Sequence, residues 1–104
     1  MKFDVTLPPN HEMRRACNNL DQMIKKTRKD LEDSRIKLSQ LEKDVRELER
    51  DSENPRFSEE RRGHMKNDAE RLKKQKPEFE RKAKGLRNKL KEMENQFQLE
   101  CSFV

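Results

Sequence analysis

A strict heptad pattern between Met13 and Leu48 limits the folds that this chain can adopt. A repeat of 3.5 residues keeps one narrow stripe of a helix turned toward a partner helix, as in a coiled coil. Nearly all the intervening residues are charged or carry amides, so the stripe has to be covered by another helix. The stripe consists of Met13, Cys17, Leu20, Ile24, Thr27, Leu31, Ser34, Leu38, Leu41, Val45 and Leu48.

A second heptad stripe follows a break in the pattern. Asn54-Pro55 is a turn signal, and Ser58 is a favourable residue to cap a new helix. The sequence therefore predicts an all-α fold, a two-helix antiparallel coiled-coil hairpin, with helix one at 11–52, a tip loop at 53–58 and helix two at 59–101. We expect Pro77 to kink helix two. The second stripe consists of Met65, Ala69, Leu72, Lys76, Phe79, Ala83, Leu86, Leu90, Met93 and Phe97.

The composition is compatible with this hairpin and with a single domain spanning 1–104. Only 29% of the residues are hydrophobic and 45% are charged, which by itself is typical of disorder. A coiled-coil seam, however, needs only two apolar positions in seven. No stretch resembles a membrane span or the apolar region of a signal peptide.

The first ten residues are predicted to form an extended segment. Pro8-Pro9 disfavours a helix there, and Asn10 is a suitable N-cap for helix one. The side chains of Phe3, Val5 and Leu7 alternate along this segment. We expect them to pack either on the hairpin or on a partner.

The stripes also suggest a register between the two helices. Centring the turn near Pro55 pairs Leu31 with Phe79 and puts the polar Ser34 and Lys76 in one layer. A shift by one heptad remains an alternative, because it keeps both stripes in phase. In the centred register Cys17 faces Met93.

The two cysteines allow two interpretations. We interpret Cys17 and Cys101 as reduced thiols, and a disulfide that links the two ends of the chain is the alternative.

The sequence contains no constellation that indicates catalysis. His11 and His64 lie outside the stripes and match no metal-ligand spacing, and no phosphate-binding loop or nucleophile motif is present. The many Glu and Lys residues at helical spacing are typical of a solvated face. We therefore expect a non-enzyme without cofactor or metal.

Basic residues form two clusters that the centred register places side by side. The net charge of +5 favours acidic partners. The clusters are either part of an ordinary charged exterior or a site for an acidic protein or an anionic membrane. No aromatic residues are interleaved to stack on bases, so we expect no nucleic-acid binding. The patch consists of Lys25, Lys26, Arg28, Lys29, Arg81, Lys82, Lys84 and Arg87.

The tip loop is the preferred partner-binding site. Phe57 lies where no heptad requires it, so it either folds back onto the coil or contacts a partner. An aromatic residue beside Arg56 is a favourable interface anchor. The predicted site comprises Asn54, Pro55, Arg56 and Phe57.

Two short motifs flank the first heptad stripe: Leu7-Pro8-Pro9 with Arg14-Arg15 nearby, and Glu53-Asn54-Pro55 between two long helices. Together they resemble the homology-region-one domain of F-BAR adaptors of the Toca and Cdc-interacting-protein group. The resemblance implies an antiparallel coiled coil that binds a GTP-loaded Rho-family GTPase of Cdc or Rac type. It also implies a cytoplasmic adaptor in membrane remodelling and actin signalling. This chain carries Arg56-Phe57-Ser58 where the family has a Met-Gly-Asp-type tip.

Two other functions remain open beside the one implied by this resemblance. The chain could be a coiled-coil spacer or self-association segment of a cytoskeletal scaffold. It could instead contact an anionic membrane through the basic residues. For the isolated hairpin we expect a monomer.

Overall fold

The structure, a computed structural model, describes the backbone of residues 7–102 and the side chains of residues 12–102. Two long helices, α1 (Leu7–Asp51) and α2 (Glu59–Cys101), account for nearly all of this part of the chain, which contains no strand. The chain is an all-α helical hairpin, which confirms the fold class that the heptads predict. Within residues 7–102, neither helix has an apolar stretch long enough to cross a membrane.

The start of α1 corrects the predicted extended segment. α1 begins at Leu7, so residues 7–10 are helical and Asn10 is not the residue that caps the helix. The first residues of a helix have backbone N–H groups without intrahelical acceptors, and proline's fixed φ already suits a helix. The prediction treated Pro8-Pro9 as a helix breaker, whereas the first turn tolerates proline. Phe3 and Val5 lie outside the described residues.

The chain divides into two compact units that are described separately below. Unit 1 comprises Met1–Leu31 and Gly85–Val104, and unit 2 comprises Glu32–Lys84. Each unit pairs a segment of α1 with a segment of α2.

Unit 1 shows that the centred register is wrong. Cys17 and Cys101 form a disulfide with 5.8 Å between their Cα atoms. Met93, which the centred register places opposite Cys17, is eight residues or about 12 Å of helix away from Cys101. The helices are therefore shifted by about one heptad. A shift of seven residues places Cys17 opposite residue 100, next to Cys101, and in unit 1 it aligns Leu20 with Phe97, Ile24 with Met93, Thr27 with Leu90 and Leu31 with Leu86.

Unit 2 has the same shift. Glu42 pairs with Lys76, with 2.9 Å between carboxylate and ammonium, and Glu49 pairs with Lys73. Ser34 and Lys76 consequently occupy different layers, contrary to the centred register. The shift lets the Lys76 ammonium leave the seam for a carboxylate on its edge. It aligns Ser34 with Ala83, Leu38 with Phe79, Leu41 with Lys76, Val45 with Leu72, Leu48 with Ala69 and Ser52 with Met65.

The buried residues follow the two heptad stripes. Met13, in contrast, is 45% exposed, so the predicted seam does not extend to it. Among the described side chains the buried apolar residues are Cys17, Ile24, Leu31, Leu41, Ala69, Ala83, Met93 and Cys101, and the buried polar ones are Thr27, Ser34 and Ser52. Ala69 and Ala83 show that small residues also occupy buried seam positions.

Candidate functional site

Hydrogen bonds at the start of the tip loop cap the C-terminal end of α1. The backbone N–H groups of Ser52 and Asn54 donate to the carbonyl oxygens of Leu48 and Asp51, at 2.9 and 3.0 Å. The Ser52 hydroxyl donates to the Glu49 carbonyl at 2.7 Å, and Ser52 is only 4% exposed. These bonds pair carbonyl groups that the end of a helix would otherwise leave without donors.

A compact turn over residues 54–57 follows. The Asn54 carbonyl accepts a hydrogen bond from the N–H of Phe57 at 3.2 Å, and its side-chain oxygen accepts one from the N–H of Arg56 at 3.0 Å. Pro55 sits at the second position of the turn, where its fixed φ is favourable. Asn54 and Pro55 therefore form a turn, as the sequence predicts.

Ser58 caps α2, also as predicted. Its hydroxyl oxygen accepts from the N–H of Arg61 at 3.2 Å, and its carbonyl accepts from the N–H of Arg62 at 2.9 Å. Glu59 and Glu60 occupy the first turn, where the positive end of the helix dipole favours carboxylates. The tip is thus fixed on both sides by local hydrogen bonds.

Phe57 is half-buried and packs back against α2. The guanidinium carbon of Arg61 lies 4.9 Å from the centroid of its ring, a cation–π distance. This contact fits the fold-back that the sequence allows, and a contact of Phe57 with a partner stays a prediction. Pro55 and Arg56 remain exposed on the same turn.

Arg62 is a second arginine of the tip that sequence reasoning did not single out. Its side chain is half-buried, and its Nε atom is buried without a hydrogen-bond partner. It lies three residues before Met65 and so continues the stripe of α2 toward the loop. That spacing is the signal by which the sequence could have identified it.

The residues of the predicted basic patch are divided between the two units. Lys25, Lys26, Arg28, Lys29 and Arg87 belong to unit 1, whereas Arg81, Lys82 and Lys84 belong to unit 2. Within unit 1 the shifted register brings residues 88–92 opposite 25–29. The segment 81–85, which the centred register placed there, lies in unit 2 except for Gly85.

Ion pairs neutralise part of the charge of the first cluster. The Lys25 ammonium lies 3.1 Å from a carboxylate oxygen of Asp21, and the Arg28 guanidinium lies 2.6 Å from one of Glu94. Lys26 and Lys29 are exposed. The positive potential of this helix face is therefore lower than the count of basic residues implies.

Three charged side chains of unit 2 have pKa values that are shifted by their partners. The hydrogen bond and positive charge of Lys76 lower the pKa of Glu42, and the same contact raises the pKa of Lys76. Glu49 raises the pKa of Lys73 in the same way. These groups lie at the rim of the seam, where they link the two helices.

Grooves beside the seam are shallow and open to solvent. A groove of about 570 Å³ in unit 1 is bordered by the Arg28–Glu94 pair, Ile24 and Phe97. Among the described residues, His, Cys, Asp and Glu side chains form no group of three or more that could hold a metal ion. The tip, with its fixed backbone and exposed Arg56, therefore remains the best-defined candidate site.

The disulfide shows that the reduced-thiol interpretation was wrong and that the link between the two ends of the chain was the correct alternative. A signal for it was present, since Cys101 follows Phe97 by four residues and so lies on the same face of α2, one residue beyond the next heptad position. The resemblance carried by Leu7-Pro8-Pro9 and Asn54-Pro55 stays a prediction. No family model, no curated protein and no solved structure matches this chain significantly.

Proposed function

We propose that this chain is a non-catalytic protein-interaction module that binds its partner through the tip of the hairpin. The observation that carries the proposal is the fixed conformation of residues 54–58. Backbone and side-chain hydrogen bonds hold the turn, and Arg61 covers the ring of Phe57. The exposed Pro55 and Arg56 then form a small surface of defined shape.

Such a surface suits protein recognition for two physical reasons. A loop that is already ordered loses little conformational entropy on binding. Arginine and aromatic residues are also the types that most often contribute large binding energies at interfaces. In this fixed arrangement the Arg61 guanidinium beside the Phe57 ring is placed to meet a carboxylate of the partner.

A GTP-loaded Rho-family GTPase of Cdc or Rac type is the first partner to test. The support is the resemblance to the F-BAR adaptor domain, which also implies a parent protein at the membrane or the cytoskeleton. The disulfide counts against this assignment, because disulfides persist mainly in oxidising compartments whereas Rho GTPases act in the cytosol. The tip as binding surface is proposed independently of that partner.

The test is an amide NMR titration of the oxidised domain with Cdc-type and Rac-type GTPases loaded with a GTP analogue. Binding should shift or broaden residues 53–62 before other amides. Arg56→Ala and Phe57→Ala should each weaken the complex by about 1 kcal/mol or more. Arg46→Ala, an exposed arginine of α1 in the same unit, should leave the affinity unchanged.

Each outcome of this titration decides a different part of the proposal. Shifts confined to the tip and abolished by Phe57→Ala would support both the partner and the surface. Spectra unchanged with either GTPase would remove the Rho family as partner. Binding that perturbs unit 1 and leaves residues 53–62 untouched would contradict the tip itself.

The structural alternative, a spacer or self-association segment, makes a different prediction about mass. Because each stripe is already covered by the other helix of the same chain, we expect a monomer of 12.6 kDa. Light scattering that gives twice this mass at micromolar concentration would favour self-association.

The membrane alternative is weaker than the sequence suggests, because Asp21 and Glu94 neutralise two of the basic residues. Co-sedimentation with vesicles rich in phosphatidylserine tests it. Binding through these residues must decrease as salt rises. Retention that is independent of acidic lipid and of salt would exclude this mechanism.

A further inference from the structure

The Cys17–Cys101 disulfide closes the outermost layer of the seam in unit 1. Both cysteines are largely buried, with 9% and 6% of their surface exposed. The preceding heptad position of α1, Met13, is 45% exposed. The disulfide layer is therefore the last covered layer of this seam among the described side chains.

The chain connects the two halves of unit 1 only through residues 32–84. Cys17 and Cys101 are 84 residues apart in sequence, and the disulfide is the second covalent connection between the halves. A cross-link that closes so long a loop strongly restricts the separated state. Without the disulfide, the only covalent connection between the two halves of unit 1 is the chain of residues 32–84.

Unit 1 has no loop that joins its two helical segments directly. Arg28–Glu94 is the one ion pair found between the helices in the described part of this unit, and both side chains are about half exposed, so solvent weakens it. The disulfide therefore takes the place in unit 1 that the connecting loop has in unit 2.

Unit 2 has its own means of holding its two helices together. They are joined directly by the loop of residues 52–58, whose ends are hydrogen-bonded to both helices. Two ion pairs, Glu42–Lys76 and Glu49–Lys73, also link them. None of these contacts depends on the disulfide.

We propose that the disulfide is a redox-controlled clasp, whose reduction releases the helix pairing of unit 1 while unit 2 stays folded. Release exposes the seam of residues 17–31 and 86–101, which includes Ile24, Leu31 and Phe97. This device is separate from the proposed tip function, because the tip residues belong to unit 2. With this disulfide, the apolar seam of unit 1 is exposed to solvent only under reducing conditions.

The reductant is a dithiol, and the exchange is balanced. A thiolate of the dithiol attacks one sulfur of the Cys17–Cys101 bond, forming a mixed disulfide and releasing the other cysteine as a thiolate, which takes up a proton. The second thiol of the reductant, as its thiolate, then displaces the remaining cysteine, which is protonated in turn. Two electrons pass to the protein, and the dithiol leaves as a cyclic disulfide. Because both sulfurs are buried, attack requires the end of the seam to fray first.

Hydrogen exchange with mass spectrometry tests the proposal on the full chain, with and without dithiothreitol. Reduction should accelerate exchange of the amides in 17–31 and 86–100 by more than about tenfold. Amides in 38–48 and 65–79 should change by less than about threefold. Oxidised dithiothreitol should restore the original protection.

The double variant Cys17→Ala/Cys101→Ala is the matched control. It should exchange like the reduced chain and show no response to dithiothreitol, which excludes an unspecific effect of the reagent. Unchanged protection of unit 1 after complete reduction, verified by thiol titration, would overturn the proposal. Equal loss of protection in both units would also overturn it, because the disulfide would then stabilise the chain as a whole.

Discussion

Lys76 is a charged residue at a seam position of α2. It occupies a heptad position opposite Leu41, yet 41% of its side chain is exposed and its ammonium pairs with Glu42. Its aliphatic stem covers the seam while the charge stays in solvent. The seam therefore tolerates Lys76, although an apolar residue at this position would stabilise the coil more.

Replacing Lys76 by leucine should stabilise the protein. The substitution adds apolar surface to the seam and sacrifices only a solvent-exposed ion pair, which contributes little. We expect the melting temperature in circular dichroism to rise by about 3–6 °C. Lys74→Leu, at an exposed position off the stripe, is the control and should change it little. A lower melting temperature for Lys76→Leu would mean that the Glu42 contact matters more than the seam.

The ion pairs of unit 2 predict a stability plateau bounded on both sides. The pKa of Glu42 is lowered in the folded state, so its contribution is present above the ordinary value of 4.5 and is lost as the pH falls through the lowered pKa. The pKa values of Lys73 and Lys76 are raised, so their contribution is present below 10.5 and is lost as the pH rises through the raised values.

Urea midpoints measured between pH 3 and pH 11 test this dependence. Glu42→Gln should flatten the acid limb, and Lys76→Met should flatten the alkaline limb. Glu78→Gln, at an exposed position, should alter neither limb. Identical acid limbs for Glu42→Gln and the unmodified chain would contradict the assigned coupling.

At the scale of the helices, Pro77 is the clearest local defect. It lies inside α2, is exposed, and has no N–H to donate to the carbonyl four residues earlier, that of Lys73. Pro77→Ala restores the donor and should raise the free energy of unfolding by about 1–3 kcal/mol. Chemical denaturation measures this change.

Pro55→Ala is the matched control for this substitution. Pro55 sits in the turn of the tip, where proline restricts the unfolded chain at no cost to the folded one. The same exchange there should lower stability slightly. If both substitutions destabilised the protein, the backbone around Pro77 would have adapted to proline.

The elements were predictable to different degrees, for identifiable reasons. The heptads predict the helices and the hairpin because a charged helix with one apolar stripe has few ways to cover it. Asn54-Pro55 and Ser58 locate the loop through known turn and cap chemistry. The start of α1 was misjudged because proline is compatible with the first turn, although it is unfavourable further along a helix.

The register was not predictable from the stripes alone. Sliding one helix by seven residues leaves every seam position in phase, so periodicity cannot distinguish the alternatives. Pairs across the seam distinguish them, such as Cys17 with Cys101 and Glu42 with Lys76. The candidate site at the tip was predictable in position, whereas the packing of Phe57 under Arg61 depends on the conformation of the turn.

For the molecule as a whole, the disulfide should act mainly on the state in which the helix pairing of unit 1 is released. The cross-link joins residues that are 84 apart in sequence, and the loop-entropy relation gives about 4–5 kcal/mol as the upper limit of its effect, the value for a fully unfolded loop. Cys17→Ala/Cys101→Ala should therefore shift the urea midpoint of unit 1 downward. The urea m-value of the remaining main transition should decrease, because it then exposes the surface of unit 2 alone.

The two alanines remove sulfur contacts as well as the cross-link, so a second comparison separates these effects. Reduced unmodified protein retains both side chains and lacks only the bond. If it unfolds at the same midpoint as the double variant, the cross-link accounts for the loss. A midpoint near that of the oxidised protein would show that packing of the two side chains, rather than chain entropy, carries the stability of this layer.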